Sequence, residues 1–327
     1  MYATDLQQAF HKVITINALF PEQFATVIDQ RILLEVVSNI NDETIKLSYN
    51  NNVLVISGDR MEFKLPTMEL KEFPVINFSI VGNDFSLDKN ELLKCIDKVM
   101  FCALKDAEYL TMRFNAVYWE FEPNKLCLVA SDSFRLALAT MNTNTNVFTT
   151  FLLSLKSMEE LKSVLSSCTT KTVAITEISS QILFKFPEDD IEIVFNVLEQ
   201  SFPEYEQIVP DSFNTFVVAN TEALLSAIKR VSIASNKDNS ISCTFSNNNL
   251  NIYASSPDIG EAQENMGIKL SGQDLNVLYT PKYLKEALEK IETVETEMKI
   301  VGDSEPAVLK PLNDNTYFYV IMPQRKV

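Results

Sequence analysis

Two stretches of this chain repeat one another 131 residues apart. FSLDKNELLKCIDKVMFCA begins at Phe85 and FVVANTEALLSAIKRVSIA at Phe216. The offset keeps Glu91 over Glu222, Leu93 over Leu224, Lys98 over Lys229 and Ala103 over Ala234. Each stretch reads as a short strand, a polar cap and an amphipathic helix. Asn220 or Thr221 supplies the N-cap of the second helix. A repeat constrains the fold more than any single motif, because every copy must form the same unit and find the same kind of neighbour.

A second unit occurs three times, each copy a helix followed by strands. FATVIDQRILLEVVSNI precedes TIKLSYN, VLVISG and RMEFKLPTM. LKSMEELKSVLSS precedes TVAITEI, QILFKF and IEIVFNVL, and TPKYLKEALEKIE precedes MKIVG, AVLKPL and TYFYVIMP. Alternation in TIKLSYN and IEIVFNV suits half-buried antiparallel strands. Copies close at Glu72-Phe73-Pro74 and Ser201-Phe202-Pro203, where proline punctuates the chain. The spacing predicts domains of about 125 residues, at 1–75, 76–200 and 201–327. Residues 1–75 hold only the second kind of unit, so about 50 residues of a first domain are expected to be missing by the same arithmetic. Helices on one side of antiparallel sheets make an α+β architecture of half-domains.

The residue inventory excludes much chemistry. The only histidine is His11, in the expected strand QQAFHKVI, where it suits a packing or surface role. A His cluster for metal is impossible, and a Ser-His-Asp site would have to use that one residue. The six glycines make neither G-x-G-x-x-G nor a P-loop. Asp189–Asp190 and Glu159–Glu160 read as solvated turn and helix faces. No catalytic residues, metal site or cofactor are therefore expected. Cys95, Cys102, Cys127, Cys168 and Cys243 show no C-x-x-C spacing and read as buried free thiols of a reducing compartment. No apolar run reaches the roughly 20 residues of a membrane helix. MYATDLQQAF has neither a basic nor an apolar signal region. A cytoplasmic protein without membrane contact is expected. The net charge of −16 opposes nucleic-acid binding by the surface as a whole, though it says nothing of how charge is distributed.

Three motifs in order carry a family resemblance. Val129-Ala-Ser-Asp-Ser-Phe-Arg-Leu-Ala137 resembles V-A-T-D-G-H-R-L-A. Phe202-Pro-Glu-Tyr205 through Pro210 resembles the linker F-P-D-Y-x-x-x-x-P, and Tyr319-Val-Ile-Met-Pro-Gln-Arg325 resembles Y-V-V-M-P-M-R. Ser57-Gly58, Phe63-Lys64-Leu65 and Glu72-Phe73-Pro74 are similar to the end of the family's first domain. The chain thus resembles the bacterial DNA polymerase III beta subunits, the beta sliding clamps, along its whole length.

The resemblance implies a DNA clamp fold of three domains and a non-catalytic processivity factor of DNA replication. It also implies a head-to-tail homodimer that encircles double-stranded DNA without reading sequence. Helices would line the hole, and here they offer Lys94, Lys98, Lys156, Lys162, Lys229, Arg230, Lys282 and Lys285. Such a lining reconciles an acidic outside with phosphate contact. The family's pocket for short peptides would fall on Phe114, Ser131, Ser133, Arg135, Leu136 and Pro203, with Ile208, Tyr283, Val320, Met322, Pro323 and Arg325 completing it. Its expected partners are the DNA polymerase III alpha subunit, the clamp loader, repair polymerases and mismatch-repair proteins. Apolar walls would take an aromatic or leucine anchor, with Arg135 and the hydroxyls holding polar groups at the rim. The dimer contact would join Phe63 and Leu65 to Ile233 and Ala234.

The chain also departs from the family pattern. Ser133-Phe134 replaces Gly-His, which narrows the loop's freedom and makes the pocket bulkier. Gln207 stands where some members carry Arg. The short first domain leaves a second reading open, a clamp-like adaptor that binds partner peptides without closing a ring.

Overall fold

A computed structural model describes residues 1–325 apart from 16–23, 80, 107, 179 and 236–239, and does not describe 326–327. It shows three domains of α+β type, with helices packed against antiparallel sheets.

Five α-helices are present among the described residues: α1 Gln30–Ser38, α2 Lys89–Val99, α3 Leu155–Ser167, α4 Thr221–Val231 and α5 Pro281–Leu288. Their starts follow from capping chemistry. Asp29, Asp88, Ser154 and Asn220 each accept a first-turn backbone N–H, and Pro281 opens α5 where no donor is needed. The first helix is shorter than the run from Phe24 that its apolar pattern predicts. Asp29 accepts from Arg31 N at 2.8 Å and caps the helix there, and Val27 pairs instead with Met68 as an isolated bridge.

The strands fall into four sheets. Two of them run across the chain-order boundaries near residues 75 and 200. The six-stranded sheet begins with Tyr2–Thr4 and Gln8–Lys12, which continue the strands of residues 83–196 through the pairing of Phe10 with Ile193. The nine-stranded sheet joins Arg135–Asn142 to Tyr317–Ile321, with Leu136 opposite Val320. Continuous pairing removes the free edges that separate domains would expose. The two smaller sheets are open, with edge strands Lys46–Asn50 and Glu62–Pro66 in the three-stranded sheet and Gly260–Gly267 and Leu275–Tyr279 in the four-stranded one.

One large core fills the second and third domains. Trp119 is fully buried, ringed by Phe121, Phe151 and Phe184. The first domain has a separate, small cluster of Val36, Leu54, Ile56 and Leu65. All five cysteines are free and buried. Burial pushes the Cys95 thiol up to about 11 and those of Cys127 and Cys243 to about 12, so they stay protonated and inert. His11 lies in the strand Gln8–Lys12, its ring stacked on Tyr2 and its Nδ1 3.0 Å from Glu192 Oε2. Among the described residues no group of three or more His, Cys, Asp or Glu could hold a metal, and no helix is long and apolar enough to cross a membrane.

Candidate partner pocket and basic helix face

The crossing of the nine-stranded sheet from the second domain to the third builds a pocket of about 320 Å³. Its floor is apolar: Leu136 and Val320 are paired neighbours on adjacent strands and are both buried. Phe114 from a 3-10 turn, Pro203 and Ile208 from the linker, and Met322 from the C-terminal segment form the walls, with Ser131 and Ser133 beside them. The linker is held by its aromatics. Phe202 stacks on Tyr118 with centroids 5.2 Å apart, and the Tyr205 hydroxyl donates to Glu120 Oε2 at 2.5 Å. The C-terminal segment is held by main chain. Met322 N donates to Phe134 O at 2.9 Å, and Gln324 N to Leu278 O at 2.8 Å.

The turn at the pocket's edge is shaped by Asp132, whose Oδ1 accepts from Phe134 N at 3.0 Å and Arg135 N at 3.1 Å. Ser133 takes φ 77°, the left-handed region that glycine occupies at little cost. The serine backbone therefore keeps the turn at a cost of about 1 kcal/mol relative to glycine.

Nine of the twelve pocket residues expected from sequence line this cavity: Phe114, Ser131, Ser133, Arg135, Leu136, Pro203, Ile208, Val320 and Met322. Tyr283, Pro323 and Arg325 do not. Tyr283 lies under Arg135, ring centroid 4.3 Å from the guanidinium carbon. Arg135 itself is not the rim cation expected of it. Its side chain is 6 % exposed. Nε donates to Asp132 Oδ2 at 2.9 Å, Nη2 to Phe101 O at 3.1 Å, and Nη1 to the Glu286 carboxylate on α5. Fully engaged, it is a strut between the second and third domains. Sequence reasoning missed two lining residues, Arg113 and Phe134. Arg113 directly precedes the expected Phe114, and Phe134 belongs to the same loop motif as Ser133.

The eight expected basic residues are distributed on one row of helices. α2 packs beside α3 and α4 beside α5. Asp97 of α2 bridges Lys162 of α3 at 2.5 Å and Lys290, just beyond α5, at 2.6 Å, which links the two pairs. The four helices carry nine Lys or Arg against six Asp or Glu, in a chain whose net charge is −16. Several of these cations are already paired: Lys156 with Asp5, Lys229 with Glu289, Arg230 with Glu264 and Lys282 with Glu286. Lys98 lies 5.8 Å from the Tyr317 ring centroid, and Lys285 reaches Ser232 Oγ at 3.5 Å. Lys94 lines a polar groove of about 310 Å³ between α2, α3 and the end of α5.

Of the four expected dimer-contact residues, Phe63 and Ile233 are exposed. Leu65 and Ala234 are buried inside their own domains, where they fill the core.

Repeated helix-and-sheet units, sheets continuous across domain boundaries and helices in a row along one side define a DNA clamp fold. The comparisons agree with it. Models of the DNA polymerase III beta subunit match in chain order: the N-terminal domain on residues 1–77, the central domain on 86–204 and the C-terminal domain on 206–325. The DNA polymerase III beta subunit of Thermotoga maritima superposes with a TM-score of 0.91 at 34% identity, covering 100% of this chain and 88% of that one. The beta sliding clamp of Bacillus subtilis is 26% identical over 306 residues, 91% of this chain and 80% of its own length. A sliding clamp of Pseudomonas aeruginosa, solved bound to griselimycin, shares the fold with a TM-score of 0.90 at 22% identity over 99% of this chain and 88% of that one. The chain belongs to the DNA polymerase III beta subunit family, the beta sliding clamps of DNA replication.

Proposed function

We propose that this protein is a non-catalytic processivity factor. As a head-to-tail homodimer it surrounds duplex DNA, and it tethers the replicative polymerase and other partners through the pocket at the second–third domain junction. The observation that carries this reading is the segregation of charge. The aligned helices α2 to α5 hold a basic excess while the molecule as a whole is strongly acidic. A surface of this kind favours phosphate contact on one face only, without base readout, and such contact weakens as salt rises. Ion pairs on the same helices keep that attraction mild, which suits a ring that must slide.

The pocket supplies the tether. Buried Leu136 and Val320 form an apolar floor, and Met322 and Ile208 give walls for a leucine or aromatic anchor. Ring closure would use two of the edge strands, Glu62–Pro66 and Gly260–Gly267, with exposed Phe63 and Ile233 at the contact. Leu65 and Ala234 would support that contact from beneath.

The test is a titration of a fluorescein-labelled peptide bearing leucine and phenylalanine anchors. Wild type is expected to bind it, and Met322→Ala to weaken binding by about tenfold. Equal, negligible binding by both proteins would count against the tether.

A second reading, an adaptor that binds peptides without closing a ring, draws on one observation. α1 leaves Ile32, Leu34 and Val37 exposed on the domain that ring closure must use.

A further inference from the structure

The turn around Ser133 has a twin at the junction of the first and second domains. Ala3-Thr4-Asp5 repeats Ala130-Ser131-Asp132. Asp5 Oδ1 accepts from Gln7 N and Gln8 N, both at 3.0 Å, as Asp132 Oδ1 accepts from Phe134 N and Arg135 N. Thr4 Oγ1 donates to Gln8 O at 2.7 Å, as Ser131 Oγ donates to Arg135 O at 2.8 Å. Leu6 takes φ 72°, beside 77° for Ser133. After each turn the strands pair alike, Ala9 with Val194 and Leu136 with Val320. Phe73-Pro74 stands in the first linker as Phe202-Pro203 does in the second. The hairpin of Tyr2–Thr4 and Gln8–Lys12 therefore closes a unit of the first kind, so residues 1–75 hold more than the second kind expected from sequence.

The twin turn borders a cavity of about 280 Å³. Thr4, Leu6, Gln8, Ala9, Pro74 and Val194 line it in the places that Ser131, Ser133, Arg135, Leu136, Pro203 and Val320 hold in the larger pocket. The two sites differ most at Gln8. Arg135 gives its donors to Asp132, Glu286 and Phe101 O. Gln8 is only 8% exposed, and its Oε1 is buried without a hydrogen-bond partner. We propose that this cavity is a second peptide-docking pocket. Its occupant is an uncharged partner segment that lays one aliphatic side chain on Ala9 and Val194 and donates that residue's main-chain N–H to Gln8 Oε1. That the occupant is a peptide rests on the tether reading of the larger pocket, while the site itself is separate from it.

Three observations define that occupant. A buried acceptor without a donor costs free energy, and a ligand N–H that reaches it recovers the loss. Among the described residues that line the cavity none is charged, so a carboxylate or ammonium entering it would shed water without gaining a partner. Ala9 and Val194 form a buried apolar floor beneath an aliphatic rim, where Leu6 is 76% exposed and Val75 wholly so. Apolar side chains left exposed around a cavity mark a surface that a partner covers. Size and shape narrow the choice further. The volume lies at the small end of ligand sites, which run from roughly 300 to 1,000 Å³. No aromatic is among its described lining residues, whereas Phe114 and Phe134 line the larger pocket. A branched aliphatic side chain fits such a space better than a ring.

The probe is acetyl-Ala-Leu-Ala-Ala-amide, which carries no charge, titrated into the full chain while leucine and valine methyl resonances are followed. The Leu6 and Val194 methyls are expected to shift together with one midpoint, unchanged in Met322→Ala, which alters only the larger pocket. A probe N-methylated at its leucine lacks the donor and is expected to bind wild type about fivefold more weakly. Gln8→Leu removes the buried acceptor at similar size, so it is expected to fold at least as well and to bind the two probes alike. Val75→Glu, at a wholly exposed residue of the rim, is expected to weaken both probes. Shifts at Leu136 and Val320 without shifts at Leu6 and Val194 would overturn the proposal and leave the tether reading standing. Shifts at Leu6 and Val194 alone, lost in Val75→Glu, would uphold this pocket and count against the other. Equal binding of the two probes by wild type would overturn the proposal, as would a preference that survives in Gln8→Leu. Absence of shifts at all four residues would overturn it as well.

Discussion

Residues 27–72 and residues 83–196 are made of the same parts, a helix laid on antiparallel strands, yet they are packed to very different depths. In the second region α3 buries Leu155, Ser157, Met158, Leu161 and Leu165, with α2 alongside. In the first, α1 buries only Val36. Its Leu33, Leu34 and Val37 border an open cleft of about 840 Å³ shared with residues 1–6. The apolar residues of α1 are as dense as those of α3, so composition does not explain the contrast. An amphipathic pattern says which residues can be buried, while a neighbouring element decides whether they are. The third domain makes the same point, since α4 and α5 pack together and each buries a full face.

The contrast predicts unequal responses to comparable mutations. The largest is expected for Trp119→Ala, at the centre of the aromatic cluster, which should cost about 3–5 kcal/mol and lower the main calorimetric transition. Ile56→Ala, in the small first-domain cluster, should cost about 2–5 kcal/mol locally. Its effect should stay local: amide exchange should quicken across 46–66 and remain unchanged across 116–142. Faster exchange in both segments would mean that the regions unfold as one unit, and the comparison would fail.

Acid should come next in size. Burial pushes the Asp97 carboxyl up, but hydrogen bonds and charge from Lys162 and Lys290 outweigh it and hold the group below 3.8. Asp5, which ties the N-terminal strands to α3 of the second region, is partly desolvated but also ends lowered, through Lys156 and the main chain at Gln7 and Gln8. A lowered carboxylate stabilises the fold at every pH above its unfolded value, and the contribution disappears as pH falls through the folded one. Stability should thus be flat in these groups from neutral pH down to about 4 and decline below it. Both carboxylates are more than a third exposed, so each should contribute no more than about 1 kcal/mol, and Asp97→Asn should flatten the decline measurably. The smallest effect is expected for Leu34→Gln on the exposed face of α1, within about 0.5 kcal/mol. A loss of several kcal/mol there would show that the face is covered in solution.

Much of this was legible in the sequence because it is local. The helix Leu155–Ser167 and the strands Thr172–Ile178 and Gln181–Phe186 fall on the segments that periodicity and capping mark. Asn220 caps α4 because its side chain reaches Ala223 N, an interaction three residues long. What escaped is long-range. That Gln8–Lys12 would pair with Ile191–Asn196 depends on a partner some 180 residues away, for which an alternating strand gives no address. The pairing of Arg135 with Glu286, and of Lys162 and Lys290 with Asp97, likewise depends on which helices come side by side. For that reason Arg135 read as a rim cation and proved to be a strut, while Arg113, with no motif to mark it, went unremarked. The loop at Ser133 was readable as a departure from glycine, but only its φ of 77° shows that the turn survives the change.

The solution mass at micromolar concentration, by light scattering after gel filtration, tests the ring most directly. The chain alone is 37.1 kDa. The proposed head-to-tail homodimer predicts a mass near twice that value, falling toward the single-chain mass when Phe63→Glu places a charge at the expected contact. A wild-type mass near 37.1 kDa would contradict ring closure by this chain and favour the adaptor reading.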